Sequence, residues 1–420
     1  MKFRLPVVAS VAVFSLTACA SQQDAPETSG SWVGTMTTEG NVTTVVNGSG
    51  SVWGGTATLV EEASIGVEAG DDPYMFGRIE GLAASENRIY VSDSQVPALR
   101  AYDWNGRHLH DFGRQGQGPG EFESVRSIGV DGNGRVWVDD MRGGRILVYS
   151  LDGEQVATIR KVPPPFSGSS PPIVVTPDGH GWSFAFEVTD SPRARRFLIP
   201  YALDGTTGEA VELPEFETAP TLMAVGDGGR RFLPLPFYPR GTFAFSPAPA
   251  ILRGSPDRYW FRIEYLDGSV VVIERRDALV EVAAGEAAAH EHAVTAFLRL
   301  SDPQWSWPAE PIPTTKPAYI DLVPATSGEV WVARPGPAHP IPDCDEGEFE
   351  PDSEVHCWVE QRMFDVFDSD GHCLGEVLLP DEIVLRVRPY IRDRDVIALA
   401  EDDAGTIMVK RYRLVLPGGQ

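Results

Sequence analysis

The chain has 420 residues, 42% hydrophobic and 23% charged, with 42 glycines, 35 prolines and a formal charge of −25. This is a soluble, globular, turn-rich composition, long enough for one large or two ordinary domains, and it favours all-β over α/β. The acidity serves solubility and disfavours a nucleic-acid partner, because such a chain cannot release counterions from a phosphate backbone.

Residues 1–18 read as an export signal. Lys2 and Arg4 give a basic start, and residues 5–16 form an apolar run too short to span a bilayer, so the segment is processed rather than retained. The ending Leu16-Thr17-Ala18-Cys19 resembles the lipobox of bacterial lipoproteins, in which cleavage falls before the cysteine and its thiol is acylated. That resemblance implies lipidation at Cys19 and a membrane anchor of several acyl chains. With Ala20 rather than an aspartate next, it also implies the periplasmic face of the outer membrane. Residues 19–31 are small and polar, a flexible tether. Residues 32–53 alternate like a small β hairpin extension outside any repeat, and residues 56–67 read as a strand standing alone.

A repeat follows. Residues 88–91 (RIYV) align with 135–138 (RVWV) at an offset of 47, and Asp93 with Asp140, Tyr102 with Tyr149 and Gly106 with Gly153 keep that offset without a gap. Around the second copy, SIGV, RVWVDD, RILVYS and QVATI are short β-rich runs separated by DGNG, MRGG and LDG. Four strands per unit, at about 40–50 residues per unit, are the signature of a propeller blade. Such a unit cannot bury its faces alone and must recur around a ring.

Residues 113–122 (GRQGQGPGEF), with SIGVDGNGRVWVDD and RILVYSLDG, resemble the NHL-repeat pattern. The whole chain resembles the six-bladed β-propeller lipoproteins of bacteria, a family defined by fold rather than by activity. The expected fold is therefore all-β: a six-bladed β-propeller over residues 54–420, with an N-terminal strand closing the last blade and a short helical excursion.

In chain order, blade one spans about 79–112, blade two 127–159, blade three 173–214, blade four 242–276 and blade five from Ala318 through GEVWV and MFDVFDSDG. Blade six has only PYIRD, VIALAED and TIMVKRYRLV, and residues 56–67 would supply its fourth strand. Closure of this kind removes exposed sheet edges. With excursions 215–240, 283–315 and 335–360 set aside, six blades leave about 46 residues each and seven about 39, against the offset of 47. Residues 285–300 (GEAAAHEHAVTAFLRL) read as a helix with apolar Val294, Phe297 and Leu298. The Pro-rich segment after it carries Trp305 and Trp307, expected to staple the excursion to the propeller side.

Export permits disulfides. Cys344 and Cys357 flank the acidic loop 343–354 and are the preferred pair, leaving Cys373 as a thiol; a Cys357–Cys373 bridge is the rival.

Polar side chains where the innermost strands enter the central channel are the natural ligand site of a propeller. They are Arg78 and Glu80 in blade one and Glu123 and Arg126 in blade two. Opposite charges there grip a small polar ligand or pair with one another. Asp93 and Asp140 recur at strand ends, which points to turn capping rather than catalysis. Propeller enzymes of the gluconolactonase and amidating-lyase kinds hold a divalent ion in the channel. None of the eight histidines here falls at matching innermost positions, and His290-Glu291-His292 lacks zinc-protease spacing and reads as solvated. No catalytic residue, metal ligand or cofactor is assigned, although the acidic loop admits calcium in principle.

The expectation is a monomeric, lipid-anchored envelope module that binds a small polar ligand or an envelope protein. The competing reading is a metal-dependent hydrolase or lyase using the channel.

Overall fold

The computed structural model describes residues 32–95, 98–161, 173–187, 195–215, 219–276, 279–308, 310–342 and 357–418. The export signal, the tether with Cys19, Cys344 and the acidic loop lie outside the described residues.

Five antiparallel meanders follow one another. Blade one comprises Ile79–Ala84, Arg88–Asp93, Ala98–Asp103 and His108–Phe112. Blade two comprises Val125–Val130, Val136–Asp140, Arg145–Tyr149 and Gln155–Arg160. Blade three comprises Val174–Val175, Gly181–Glu187, Arg195–Tyr201 and Val211–Leu213. Blade four comprises Thr242–Ser246, Ala250–Gly254, Trp260–Tyr265 and Val270–Arg275. Blade five comprises Asp321–Pro324, Val330–Arg334, Met363–Phe367 and Cys373–Leu378.

Turn chemistry sets these meanders locally. In the DGNG turn of blade two, Asp131 Oδ1 accepts the backbone N–H groups of Asn133 and Arg135, and Asp131 Oδ2 accepts Trp137 Nε1 at 2.9 Å. Gly134 there has φ +78°, a conformation that costs a side-chain-bearing residue dearly. Asp93 and Asp140 cap as expected. Asp93 accepts from Gly77, Arg78 and Gln95 N–H, and Asp140 from Glu123, Ser124 and Gly143 N–H.

Packing between blades makes the ring. Six buried clusters each join one blade to the next: one to two through Tyr90 and Ile128, and two to three through Trp137 and Ile173. Leu198 and Phe245 join three to four, Phe261 and Leu322 four to five, and Trp331 and Ile391 five to six. The sixth cluster returns from Ile397 and Leu399 to Leu82 and Ala84 of blade one. Tyr90, Trp137 and Trp331 hold one repeat position and all face the following blade. That position alternates inward on a pleated strand, so in these three blades an aromatic side chain enters the wedge towards the next blade.

Blade six has three strands of its own, Tyr390–Arg392, Asp395–Glu401 and Ile407–Val415. Its fourth is Thr56–Ile65, antiparallel to Ile407–Val415 as the sequence leads one to expect. This strand also runs parallel to the outermost strand of blade five, Thr56–Thr58 against Glu376–Leu378. It thus stitches two blades together. A bulge between Glu61 and Ala63 lets Lys410 reach Glu61 at 2.9 Å while Arg411 pairs with Glu62.

The hairpin Gly34–Glu39 and Val42–Asn47 does not stand apart. Val42–Asn47 runs parallel to Val270–Arg275 and widens blade four to six strands. The fully buried Asn47 locks it: its Oδ1 accepts Trp32 Nε1 and the Cys373 N–H, and its Nδ2 donates to Gly371 O. Cys357 is disulfide-bonded and Cys373 is a buried thiol, so no Cys357–Cys373 bridge forms.

The excursions form a cap with a core of its own. Residues 215–240 contain a hairpin, Thr221–Gly226 with Gly229–Pro234, and helix Ala284–Arg299 packs on it through Val294 and Leu298. Trp305 and Trp307 belong to that small core, not to the propeller flank. Trp305 Nε1 donates to Met223 O at 3.1 Å. The expected stapling occurs between excursions because the exposed hairpin has no other way to cover Leu222 and Ala224. No described helix is long and apolar enough to cross a membrane.

Candidate ligand pocket between blades four and five

Of the channel-mouth residues, Arg78 and Glu80 pair with each other. Arg78 Nε donates to Glu80 Oε1 at 3.0 Å, and the same oxygen accepts Ser94 Oγ at 3.0 Å. Arg126 Nη1 lies 3.2 Å from Met141 Sδ, and its charge favours the buried Asp139 carboxylate that pairs with Lys161. Glu123 is partly buried and its backbone N–H is held by Asp140. Across the channel, Arg388 forms a bidentate pair with Asp321 at 2.7 and 2.8 Å and donates to Phe243 O. This pair ties the innermost strands of blades four and five to the segment entering blade six.

A different constellation, missed from sequence, lies where blade four meets blade five. Asp365, in the middle of the third strand of blade five, is fully buried. Arg275, ending blade four, reaches Asp365 Oδ1 at 2.8 Å, and Arg334, ending the second strand of blade five, reaches Oδ2 at 3.2 Å. Tyr259 donates its hydroxyl to Asp365 Oδ2 at 2.6 Å. Burial pushes the Asp365 carboxyl up, against the pull of Arg275, Arg334 and the Tyr259 hydroxyl. Burial and the Asp365 charge push Tyr259 well above the ordinary phenol range, which keeps it a donor.

The outer edges of both guanidiniums face Glu376 Oε1, at 3.1 Å from Arg275 and 3.8 Å from Arg334. Their side chains are only 12% and 18% exposed, whereas that of Glu376 is 36% exposed. A cavity of about 310 Å³ opens on this group, walled by Tyr259, Leu279, Val280, Pro317, Ala318 and Pro335. That volume sits at the small end of ligand pockets, and apolar walls around a few convergent charges are their usual make-up. One sequence signal pointed here. Extending GRVWV and GEVWV by two residues sets Asp140 against Arg334, a change from acceptor to donor at a strand end.

Among the described residues, no three His, Cys, Asp or Glu side chains gather closely enough to hold a metal ion. Two of the histidines are occupied otherwise. His108 pairs with Asp111 at 2.8 Å, and His290, expected to be solvated, packs its ring 4.6 Å from Phe237 and is pushed down to about 4 by burial.

Against known families, a family model described as a 6-bladed beta-propeller matches residues 65–190, from the end of the closing strand into blade three. The chain is a six-bladed β-propeller. Among solved structures, a member of the DUF4221 family from Bacteroides vulgatus is similar at 10% identity and TM-score 0.48, over 86% of this chain and 99% of that one. An exported protein of Bacteroides fragilis, so described on a provisional basis, is similar at 12% identity and TM-score 0.44, over 84% and 94%. Virginiamycin B lyase from Staphylococcus aureus is similar at 10% identity and TM-score 0.39, over 84% and 98%.

Proposed function

We propose that this propeller is a small-ligand-binding module of the cell envelope, held at the periplasmic face of the outer membrane by lipid on Cys19. Its ligand site is the cavity between blades four and five rather than the axial channel. The observation that carries this reading is the pair of nearly buried guanidiniums, Arg275 and Arg334, braced on Asp365 at the back of a walled cavity. Holding two cations in low dielectric costs several kcal/mol each before pairing, a cost out of proportion to a surface ion pair. A preorganised, partly desolvated charge pair discriminates among polar ligands far better than the same groups in water.

For the anchor, the support is the basic start, the short apolar run and the Leu16–Cys19 ending.

The test has two arms. A thermal-shift screen of the purified domain against small acids, amines, sugars and peptides, repeated on Arg334→Met, identifies ligands whose stabilisation depends on the pocket. The pocket reading fails when no compound stabilises the wild type in an Arg334-dependent way. A stoichiometric divalent ion retained through dialysis would instead favour the hydrolase or lyase. For the anchor, metabolic labelling with a radioactive fatty acid should mark the wild type and not Cys19→Ser, with the label in the outer-membrane fraction. An unlabelled wild type removes the lipid from the account.

A further inference from the structure

Glu376 stands in this cavity where a ligand anion would stand. Its Oε1 bridges the outer edges of Arg275 and Arg334, it lies on the outermost strand of blade five, and it is the most exposed of the four charged groups. The inner edges of both guanidiniums are fixed by Asp365, which is buried and also held by Tyr259. The two carboxylates therefore differ in kind. Asp365 is the brace, and Glu376 is a side chain that can swing into solvent at little cost in burial.

We propose that the pocket takes a small monoanionic organic carboxylate with an apolar body, and that Glu376 is the resident stand-in which such a ligand displaces. This rests on the reading of the cavity as the ligand site and names its ligand class. Two arginines against two carboxylates balance, so exchange of one carboxylate for another keeps the site neutral, whereas a dianion would leave it overcharged. Guanidinium edges match the planar carboxylate oxygens. Leu279, Val280, Pro317 and Ala318 line the cavity beside the guanidiniums and offer contact to a small apolar body next to the carboxylate.

An internal competitor has a signature that a plain binding site lacks: removing it tightens binding. Calorimetric titration with benzoate, acetate, benzamide and inorganic phosphate would be run on the wild type, Glu376→Gln and Arg334→Met, each confirmed as folded by circular dichroism and thermal melting. Benzoate is expected to bind Glu376→Gln at least tenfold more tightly than the wild type. It should bind more tightly than acetate, and Arg334→Met should lose it. Benzamide and phosphate should bind neither form.

Equal benzoate affinity in the wild type and Glu376→Gln overturns the displacement. Preference for phosphate or for an amine, still dependent on Arg334, overturns the ligand class but leaves the cavity as the ligand site. Failure of every probe on folded Glu376→Gln overturns the ligand class. If the Arg334-dependent screen is also empty, the cavity itself is no ligand site.

Discussion

Arg334 holds, in blade five, the strand position that Asp140 holds in blade two. Each ends the second strand of its blade, and each lies opposite the first residue of the third strand, Met363 and Arg145 respectively. Asp140 is fully buried, accepts three backbone N–H groups and pairs with Arg145 at 2.9 Å, closing the blade on itself. Arg334 has no acceptor to offer those amides. It turns instead to Asp365, at the position of Leu147, and so carries charge into the seam with blade four.

The brace is testable by stability alone. Asp365→Asn leaves Arg275 and Arg334 facing a neutral amide in a buried setting, which should cost about 3 kcal/mol, the lower range for breaking a buried pair. Asp140→Asn keeps an acceptor for the capped amides and should cost less, about 1–2 kcal/mol. Urea unfolding of the two variants gives the comparison. An Asp365→Asn midpoint equal to that of the wild type removes the brace from the argument.

The ring should depend on its closing strand out of proportion to that strand's ten residues. Thr58 is paired on both sides, with Leu378 of blade five and Val415 of blade six. A proline there removes a ladder donor in the middle of an eight-stranded sheet, and about 3 kcal/mol is expected to be lost. Hydrogen exchange should rise in Ile407–Val415 and Cys373–Leu378 together. Exchange rising in only one of them would mean that the strand closes a blade without joining two.

Much of this architecture was legible because a blade is written in local chemistry. Asp-Gly turns and two-residue alternation mark the meanders locally, and an inward aromatic recurs in blades one, two and five. Blade six was legible by subtraction, since three strands at one end and one at the other complete a set. The parallel join of Val42–Asn47 to blade four was not legible, because its key, Asn47 bonding Gly371 and Cys373, spans more than 300 positions. The cap hairpin was masked by composition. Glycines in GDGG and prolines on either side hid it, yet Asp227-Gly228 is its two-residue turn and Gly226 pairs with Gly229, which has φ +94°. The pocket escaped because its residues come from four strands and from the loops between them, and only the Asp140-to-Arg334 exchange leaves a trace in the repeat.

Acid should weaken the cap before it weakens the ring. His290 is held down to about 4 by burial, with Glu286 one turn earlier opposing and Lys316 adding to the shift, and with the Phe237 ring against it. Unfolded, it titrates near the usual value of about 6.5. Between these values the unfolded chain binds the proton and the folded one does not, so stability falls as pH drops from about 6.5 towards 4. The partial burial limits the effect to about 2 kcal/mol at most. His290→Gln should flatten that part of the pH–stability curve measured by helix fluorescence labels on the cap. An unchanged slope would assign the acid sensitivity to another group.

Lys316 is the latch between cap and propeller, and its removal should separate the two. Its side chain is 1% exposed, and Nζ meets Glu286 Oε1 of the helix at 2.7 Å, Glu360 Oε1 of the blade-five insertion at 2.8 Å and Gly336 O at 2.9 Å. Those three contacts use all three ammonium donors. Burial already pushes Glu360 up, with Lys316 as the main opposing influence. Lys316→Met keeps the stem volume but leaves Glu286 and Glu360 without their cation, so both must protonate or reach water, at a cost of about 3–5 kcal/mol. The helix can reach water by lifting off, whereas the blades cannot. Amide exchange should therefore accelerate across Ala284–Arg299 and Thr221–Gly226 while Val136–Asp140 and Arg88–Asp93 keep their protection. Uniform loss of protection over the chain would show that cap and ring unfold as one unit.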